Sequence, residues 1–348
     1  MSSRAHDFRP GLEFDVEALA TFLKERLEHF DGPVTVRQFP GGQSNPTYRL
    51  DTPNRRYVLR RKPPGMLLPS AHAVDREYRV MRALSESTDV PVARPLILCQ
   101  DASVIGTDFY VMEHVEGRIF WDPTLPEVAM GERSSHYAAM NDAIARLHAA
   151  APDQIGLGDY GRAEGYVARQ IARWSKQYLA DELAGRDPIM DRLIDWLPRH
   201  QPSDEPAPSV VHGDFRLDNL IFHPTEPRVV AVVDWELSTL GHPLADLAYN
   251  CLTFHLPADA LGRSDAAVAD WTGIPTEAEY IETYCRRTGR SGIPGWNFYL
   301  AFSMFRLASI LQGVYARGLQ GNAASTYALQ RGAAARHIAE LAWALAAP

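Results

Sequence analysis

Between Val211 and Glu236 the chain fixes the order of several oxygen-bearing side chains around short apolar strands. It reads Val211-His-Gly-Asp-Phe-Arg-Leu-Asp-Asn219, and then Val229-Val-Ala-Val-Val-Asp-Trp-Glu236. Asp214 follows the apolar run Ser209–His212. Asn219 comes five residues later, just before the run Leu220–Phe222, and Asp234 ends the run Val229–Val233. Each polar group therefore sits at the end of a buried element, where a strand can hold it still. Any one of the three could cap a turn. Together, in register with the strands, they fit phosphoryl transfer: a carboxylate to take a hydroxyl proton, and two oxygen ligands for a hard cation. Arg216, two residues past Asp214, adds a permanent positive charge. A metal phosphoesterase built on His212, Asp214, Asp234 and His242 is the competing chemistry, but it leaves the N-terminal third without a task.

That third reads as strands. Val34–Phe39, Thr47–Asp51 and Tyr57–Arg61 are short and rich in β-branched or aromatic residues, with Gly41 and Gly42 in the first connection and Asp51-Thr-Pro-Asn54 in the second. A helix over Ala73–Ser87 follows, with Val74, Tyr78, Met81 and Leu84 at helical spacing. Apolar runs at Arg94–Cys99 and Phe109–Val115 complete the set, and Glu116-Gly117 reads as a linker. Beyond it the pattern turns helical, over Tyr137–Ala150, Tyr166–Leu183 and from Pro243 onward, interrupted by the strand-rich island. The expectation is an α+β, bilobal chain. Residues 1–115 form a small antiparallel-sheet lobe with one helix, and residues 116–348 form a larger, mainly helical lobe.

The order His-Gly-Asp-x-x-x-x-Asn, a strand, then Asp-Trp-Glu resembles the aminoglycoside phosphotransferase and choline kinase family of the protein-kinase-like fold. The resemblance implies Asp214 as catalytic base, Asn219 and Asp234 as magnesium ligands, and ATP as phosphoryl donor. It implies structural roles for His212 and for Asp246, the latter as a brace of the catalytic loop. In the segment Phe39–Tyr48 it implies a phosphate loop, with Gly41, Gly42, Ser44 and Asn45 as candidate contacts, although the protein-kinase pattern G-x-G-x-x-G is absent. The third strand should carry a cation for the phosphates, paired to a glutamate on the next helix. Strand alternation puts Val58 and Arg60 on one face and Tyr57, Leu59 and Arg61 on the other. The resemblance selects Arg60, with Lys62 as the other candidate and Glu77 as partner. In Phe109–Val115 it implies a hinge, with Met112 behind the adenine and the backbone of Glu113 and Val115 at its edge. His242 stands where the family often has an aspartate.

The acceptor is approached through charge. From Ser291 to the last residue the sole acidic residue is Glu340, against Arg306, Arg317, Arg331 and Arg336. A polycationic antibiotic needs carboxylates to replace its lost hydration, so an anionic acceptor fits better. Arg306 and Arg317, eleven residues apart, fall close to one helical face and are the substrate-binding candidates. The runs Phe298–Arg306, Ile310–Arg317, Tyr57–Gly65 and Asp234–Gly241 resemble the kinase-like domain found fused to acyl-CoA dehydrogenases, which implies a hydroxyacyl-CoA acceptor and a functional link to such a dehydrogenase. An aminoglycoside phosphotransferase and a pseudokinase scaffold are the alternatives.

Net charge of −8 speaks against a nucleic-acid partner, and no apolar run approaches the ~20 residues of a membrane helix. Cys99, Cys251 and Cys285 are far apart and form no CxxC pair, which reads as free thiols in a reducing cytoplasm.

Overall fold

The computed structural model describes residues 8–39, 45–65, 72–203, 206–256, 270–320 and 331–347. In chain order the first elements are α1 (Val16–Arg26), β1 (Thr35–Gln38), β2 (Thr47–Asp51), β3 (Arg56–Arg61), α2 (Val74–Ser87), β4 (Pro95–Cys99), the single turn α3 (Ala102–Ile105) and β5 (Phe109–Glu113). There follow α4 (Met130–Ala149), α5 (Tyr166–Leu179), α6 (Pro188–Trp196), β6 (Ser209–Val211), β7 (Leu220–Phe222), β8 (Val229–Val232), β9 (Thr239–Gly241), α7 (Pro243–Cys251), α8 (Glu277–Thr288), α9 (Trp296–Leu319) and α10 (Arg331–Ala346).

The chain divides into two units. The first holds residues 1–119, 153–160 and 218–238; the second holds 120–152, 161–217 and 239–348. The sequence reading assigned everything after residue 115 to the second lobe. The difference has a backbone cause. Arg118 and Phe222 exchange both N–H···O bonds at 2.8 Å, and the Val232 amide donates to the Pro91 carbonyl at 2.8 Å. The β7–β8 hairpin is thereby tied to the first unit.

That unit is built on an antiparallel sheet of order β1-β2-β3-β5-β4. Alternation along β3 sends Tyr57 and Leu59 into a core with Tyr48, Leu50, Phe109, Val111 and the α1 residues Leu19 and Leu23. Helix α1 is not anticipated by the strand-dominated reading of this region. Its signals are local: Asp15 caps the Glu17 and Ala18 amides, Glu17 opens the first turn, and Lys24 and Arg26 close the last. Helix α2 lies against β4 and β5, burying Val74, Glu77, Val80, Met81 and Leu84.

In the second unit α9 is the central element. It buries residues on all sides from Phe298 to Gln312 and packs against α5, α7 and α10. Helix α7 is wholly buried, and β6 pairs with β9. Helix α5 ends at Leu179, short of the expected Leu183, because Asp181 Oδ1 accepts from the Leu183 and Ala184 amides and turns the chain. No helix among the described residues is long and apolar enough to cross a membrane.

Candidate active site

In the second unit β6 delivers the chain into His212-Gly213-Asp214. Both oxygens of Asp246, on α7, accept from this turn: Oδ2 from the His212 amide at 2.8 Å and Oδ1 from the Gly213 amide at 2.9 Å. Gly213 adopts φ 82°, a conformation that a Cβ would strain. The Asp214 amide in turn donates to His212 Nδ1 at 3.2 Å. Asp246 is fully buried. Burial pushes its carboxyl up, but His148, 3.3 Å from Oδ2, and the His212 amide outweigh that and hold it below the ordinary carboxylate value. His148 is itself fixed by Tyr284, whose hydroxyl lies 2.8 Å from Nδ1.

Two further contacts set the loop. Asn250 Nδ2 donates to the Phe215 carbonyl at 3.3 Å, and Tyr280 donates to Asn250 Oδ1 at 2.7 Å. Arg306 Nη2 donates to the Gly213 carbonyl at 2.6 Å. At the Asp214 side chain, Arg216 Nε lies 3.3 Å from Oδ1. The Tyr249 hydroxyl is raised above its ordinary value by burial and by the Asp214 charge, and it stays protonated as a donor toward that carboxylate.

The first unit carries the other candidates. Arg60 on β3 lies within 2.9 Å of Glu77 on α2, measured from Nε to Oε2; the Nε–H is not aligned for a hydrogen bond, so this contact is an ion pair. Its Nη2 reaches Asp234 Oδ1 at 2.6 Å and Glu236 Oε2 at 3.4 Å. Lys62, the other candidate cation, pairs with Asp108 at 2.6 Å instead. Glu77 is almost wholly buried, which pushes its carboxyl up against the opposing pull of Arg60. Tyr110 donates to Glu77 Oε2 at 3.0 Å and is held protonated by burial and by the Glu77 charge.

Asn45 also serves Glu77. Its Nδ2 donates to Oε1 at 2.7 Å, and its Oδ1 faces His72 Nδ1 at 3.1 Å. Fully buried and committed at both ends, Asn45 braces the ion pair, which differs from the phosphate donor expected of it. Gly41, Gly42 and Ser44 lie outside the described residues.

Asp234 has φ 67° and ψ 61°, a left-handed conformation that costs a non-glycine residue of order 1–3 kcal/mol and persists where surrounding contacts impose it. Those contacts come from the residues that follow it. Trp235 is buried and donates from Nε1 to the Val232 carbonyl at 3.0 Å. Ser238 Oγ donates to the Trp235 carbonyl at 2.5 Å and lies 2.8 Å from the Tyr160 hydroxyl. Asn219 is joined to the same strand end, its carbonyl accepting from the Val233 amide at 2.9 Å. In the hinge segment Met112 is buried, and the Glu113 amide donates to the Arg94 carbonyl at 2.9 Å. That amide is therefore spent and not open to a base edge.

The paired arginines of α9 do not share a surface. Arg306 is 7 % exposed, with Tyr249 and Trp174 rings against its guanidinium at 4.8 and 5.7 Å. Arg317 is exposed. Eleven residues return to the same azimuth, but the helix passes from a buried crossing to an exposed position in that distance. Arg306 thus braces the Gly213 turn, which differs from the substrate contact expected of it. Tyr110, Tyr249 and Asn250 were not singled out from the sequence. Their partners are backbone carbonyls or residues far along the chain, which spacing does not reveal.

Residues 35–298 match the model of a phosphotransferase enzyme family. Acyl-CoA dehydrogenase family member 10 of Mus musculus is 49% identical over 331 residues, covering 94% of this chain and 31% of that protein. Acyl-CoA dehydrogenase family member 11 of Homo sapiens is 46% identical over 322 residues, covering 91% of this chain and 41% of that protein. The chain thus spans less than half the length of these relatives. A crystal structure from Ralstonia eutropha JMP134, assigned by name to the aminoglycoside phosphotransferases, is 50% identical with a TM-score of 0.86, covering 96% of this chain and 98% of that one. Spectinomycin phosphotransferase in complex with ADP and spectinomycin shares the fold, at a TM-score of 0.60 and 12% identity, over 97% of this chain and 99% of that one.

Proposed function

The chain belongs to the phosphotransferase enzyme family, and from that premise we propose that it is an ATP- and magnesium-dependent small-molecule kinase acting on a substrate hydroxyl. The observation that carries the reading is the Asp214 turn, whose backbone is locked by Asp246 on its amides and Arg306 on its carbonyl. Such fixing of a carboxylate suits a group that must meet a hydroxyl in one orientation.

The donor set fits a hard cation. Asp234 offers a carboxylate that is 37% exposed in its side chain, and Asn219 a neutral amide oxygen, on adjoining strand ends. These two residues would hold magnesium, which when bound neutralises charge on the phosphates. Arg60, kept in place by Glu77, contributes a permanent cation toward the nucleotide phosphates. Glu113 and Val115 offer backbone groups to the base, with Met112 packed beneath. Asp214 takes the proton of the acceptor hydroxyl as that oxygen bonds to the γ-phosphorus, and ADP departs. Arg216 and Tyr249 keep the Asp214 carboxylate oriented before the proton arrives.

For the acceptor we favour an anionic molecule, a hydroxyacyl-CoA, because Glu340 is the sole carboxylate after Ser291. The naming of the relatives for acyl-CoA dehydrogenases supports a functional link of that kind. Release of ADP should be followed with ATP, magnesium and a panel of hydroxyacyl-CoAs, choline and aminoglycosides. Phosphorylation of the acyl-CoAs is the expected result. Transfer to aminoglycosides alone would move the protein to the antibiotic kinases, and no transfer to any acceptor would leave a nucleotide-binding scaffold.

A further inference from the structure

We propose that the groove between α5 and α9 holds the distal arm of the acceptor, a slender amide-bearing chain ending in an anion, and that Gly313 sets its bore. This rests on the reading of the protein as a kinase for such an acceptor. The groove is a cavity of about 530 Å³ in the second unit, a size that suits part of a small-molecule ligand. It begins at Ser309, one turn beyond Arg306, and runs along α9 to Gln320. The two helices travel together. Trp174 of α5 faces Arg306, and Gln177 faces Gly313.

Gly313 lies in the interior of α9, where glycine costs about 1 kcal/mol against alanine. Its φ is unremarkable for a helix, so backbone freedom does not explain it. A Cβ there would stand 3.3 Å from Gln177 Nε2 and 3.7 Å from Arg317 Nη1. The glycine therefore opens space beside an amide and a guanidinium, both pointing into the groove.

The lining matches an arm that is apolar along its length and polar at intervals. Gln177 and Gln312 each present an amide, able to donate and to accept. Gln312 is 8% exposed and donates from Nε2 to the Gly185 carbonyl at 2.8 Å, which leaves its Oε1 to accept from an N–H in the groove. Arg317 has no partner among the described residues and can meet an anion with its planar fork. Of the two carboxylates nearby, Asp181 is turned to its own loop amides and Glu182 stands exposed at the rim. Leu183, one of the few large apolar side chains exposed on the described surface, lines the groove together with Ala180 and Ala316. They provide apolar cover for the arm.

The test is calorimetric titration of the whole chain with coenzyme A, a probe that carries the amide-bearing arm and its anions but no acceptor hydroxyl. Gly313→Leu fills the bore and favours the helix, so melting should stay at or above the wild-type temperature while the dissociation constant for coenzyme A rises tenfold or more. Arg317→Ala should weaken binding severalfold and flatten its salt dependence. Wild-type affinity in Gly313→Leu, or no binding of coenzyme A to the wild type, overturns the assignment. Phosphoryl transfer is measured separately, so loss of the kinase reading shows as absent ADP release whatever the titration gives.

Discussion

Arg306 Nη2 donates to the Gly213 carbonyl at 2.6 Å, so a helix residue 93 positions downstream holds the turn that presents Asp214. Arg306→Leu removes a charged donor from a buried carbonyl, a change worth about 1.5–3 kcal/mol. Turnover should fall at least tenfold with little change in the acceptor Michaelis constant. A residue that bound the acceptor directly would raise that constant instead.

Asp214→Asn keeps the shape of the turn and removes the proposed base. Turnover should drop by about a hundredfold or more while nucleotide affinity holds, since general-base catalysis contributes of order 10²–10⁴. Steady-state ADP release with any accepted substrate, beside a direct nucleotide titration, separates the two effects. Unchanged turnover would remove Asp214 from the chemistry.

Asp234→Ala should abolish the gain in ATP affinity that magnesium brings. Titrations of ATP with and without the cation should give similar constants in this variant and different ones in the wild type. An intact magnesium effect would exclude Asp234 as a ligand.

Glu77→Ala leaves Arg60 buried with its closest counter-charge removed. Breaking a buried pair by deleting one partner typically costs about 3–5 kcal/mol, and both side chains here are at least nine-tenths buried. Urea unfolding should show a loss of that order. An effect below about 1 kcal/mol would mean that Asp234 and Glu236 hold Arg60 equally well without Glu77.

Burial lowers the His242 imidazole from 6.5 to about 4, with Arg290 and His148 adding to the shift and the Tyr299 hydroxyl 3.2 Å from Nε2. The unfolded chain therefore binds a proton below pH 6.5 that the folded chain refuses until about pH 4. Stability from this group is full above 6.5 and declines as the pH falls through that window, by up to about 1.4 kcal/mol per unit. Unfolding measured from neutral pH down to 4.5 should show a shallower decline in His242→Asn than in the wild type.

The first unit was legible where periodicity carries information. Alternation along β3 separates Arg60 from Arg61, while Glu77 is named as partner by the resemblance and not by helical spacing; Arg60 and Glu77 meet at 2.9 Å. What periodicity could not do was choose between Arg60 and Lys62, which pairs with Asp108 instead. Nor could it tell that Arg306 and Arg317, at one azimuth, differ in burial, because that depends on where the Gly213 turn crosses α9. Asn45 reads as a loop donor by composition, and its commitment to Glu77 is set by a partner 32 residues away. The β7–β8 hairpin follows its motif closely in sequence, yet its attachment to the first unit runs through backbone bonds to Pro91 and Arg118 that no side-chain pattern encodes.

The ion pairs around Arg60 carry an electrical consequence. One guanidinium faces the carboxylates of Glu77, Asp234 and Glu236. The four groups together hold two negative charges in excess, the charge that a single divalent cation balances. A triphosphate arriving bare would meet repulsion from this quartet, and one arriving with its cation would not. On the proposed reading, the quartet would act as a valence filter, favouring a nucleotide that arrives with a dication over the naked polyanion.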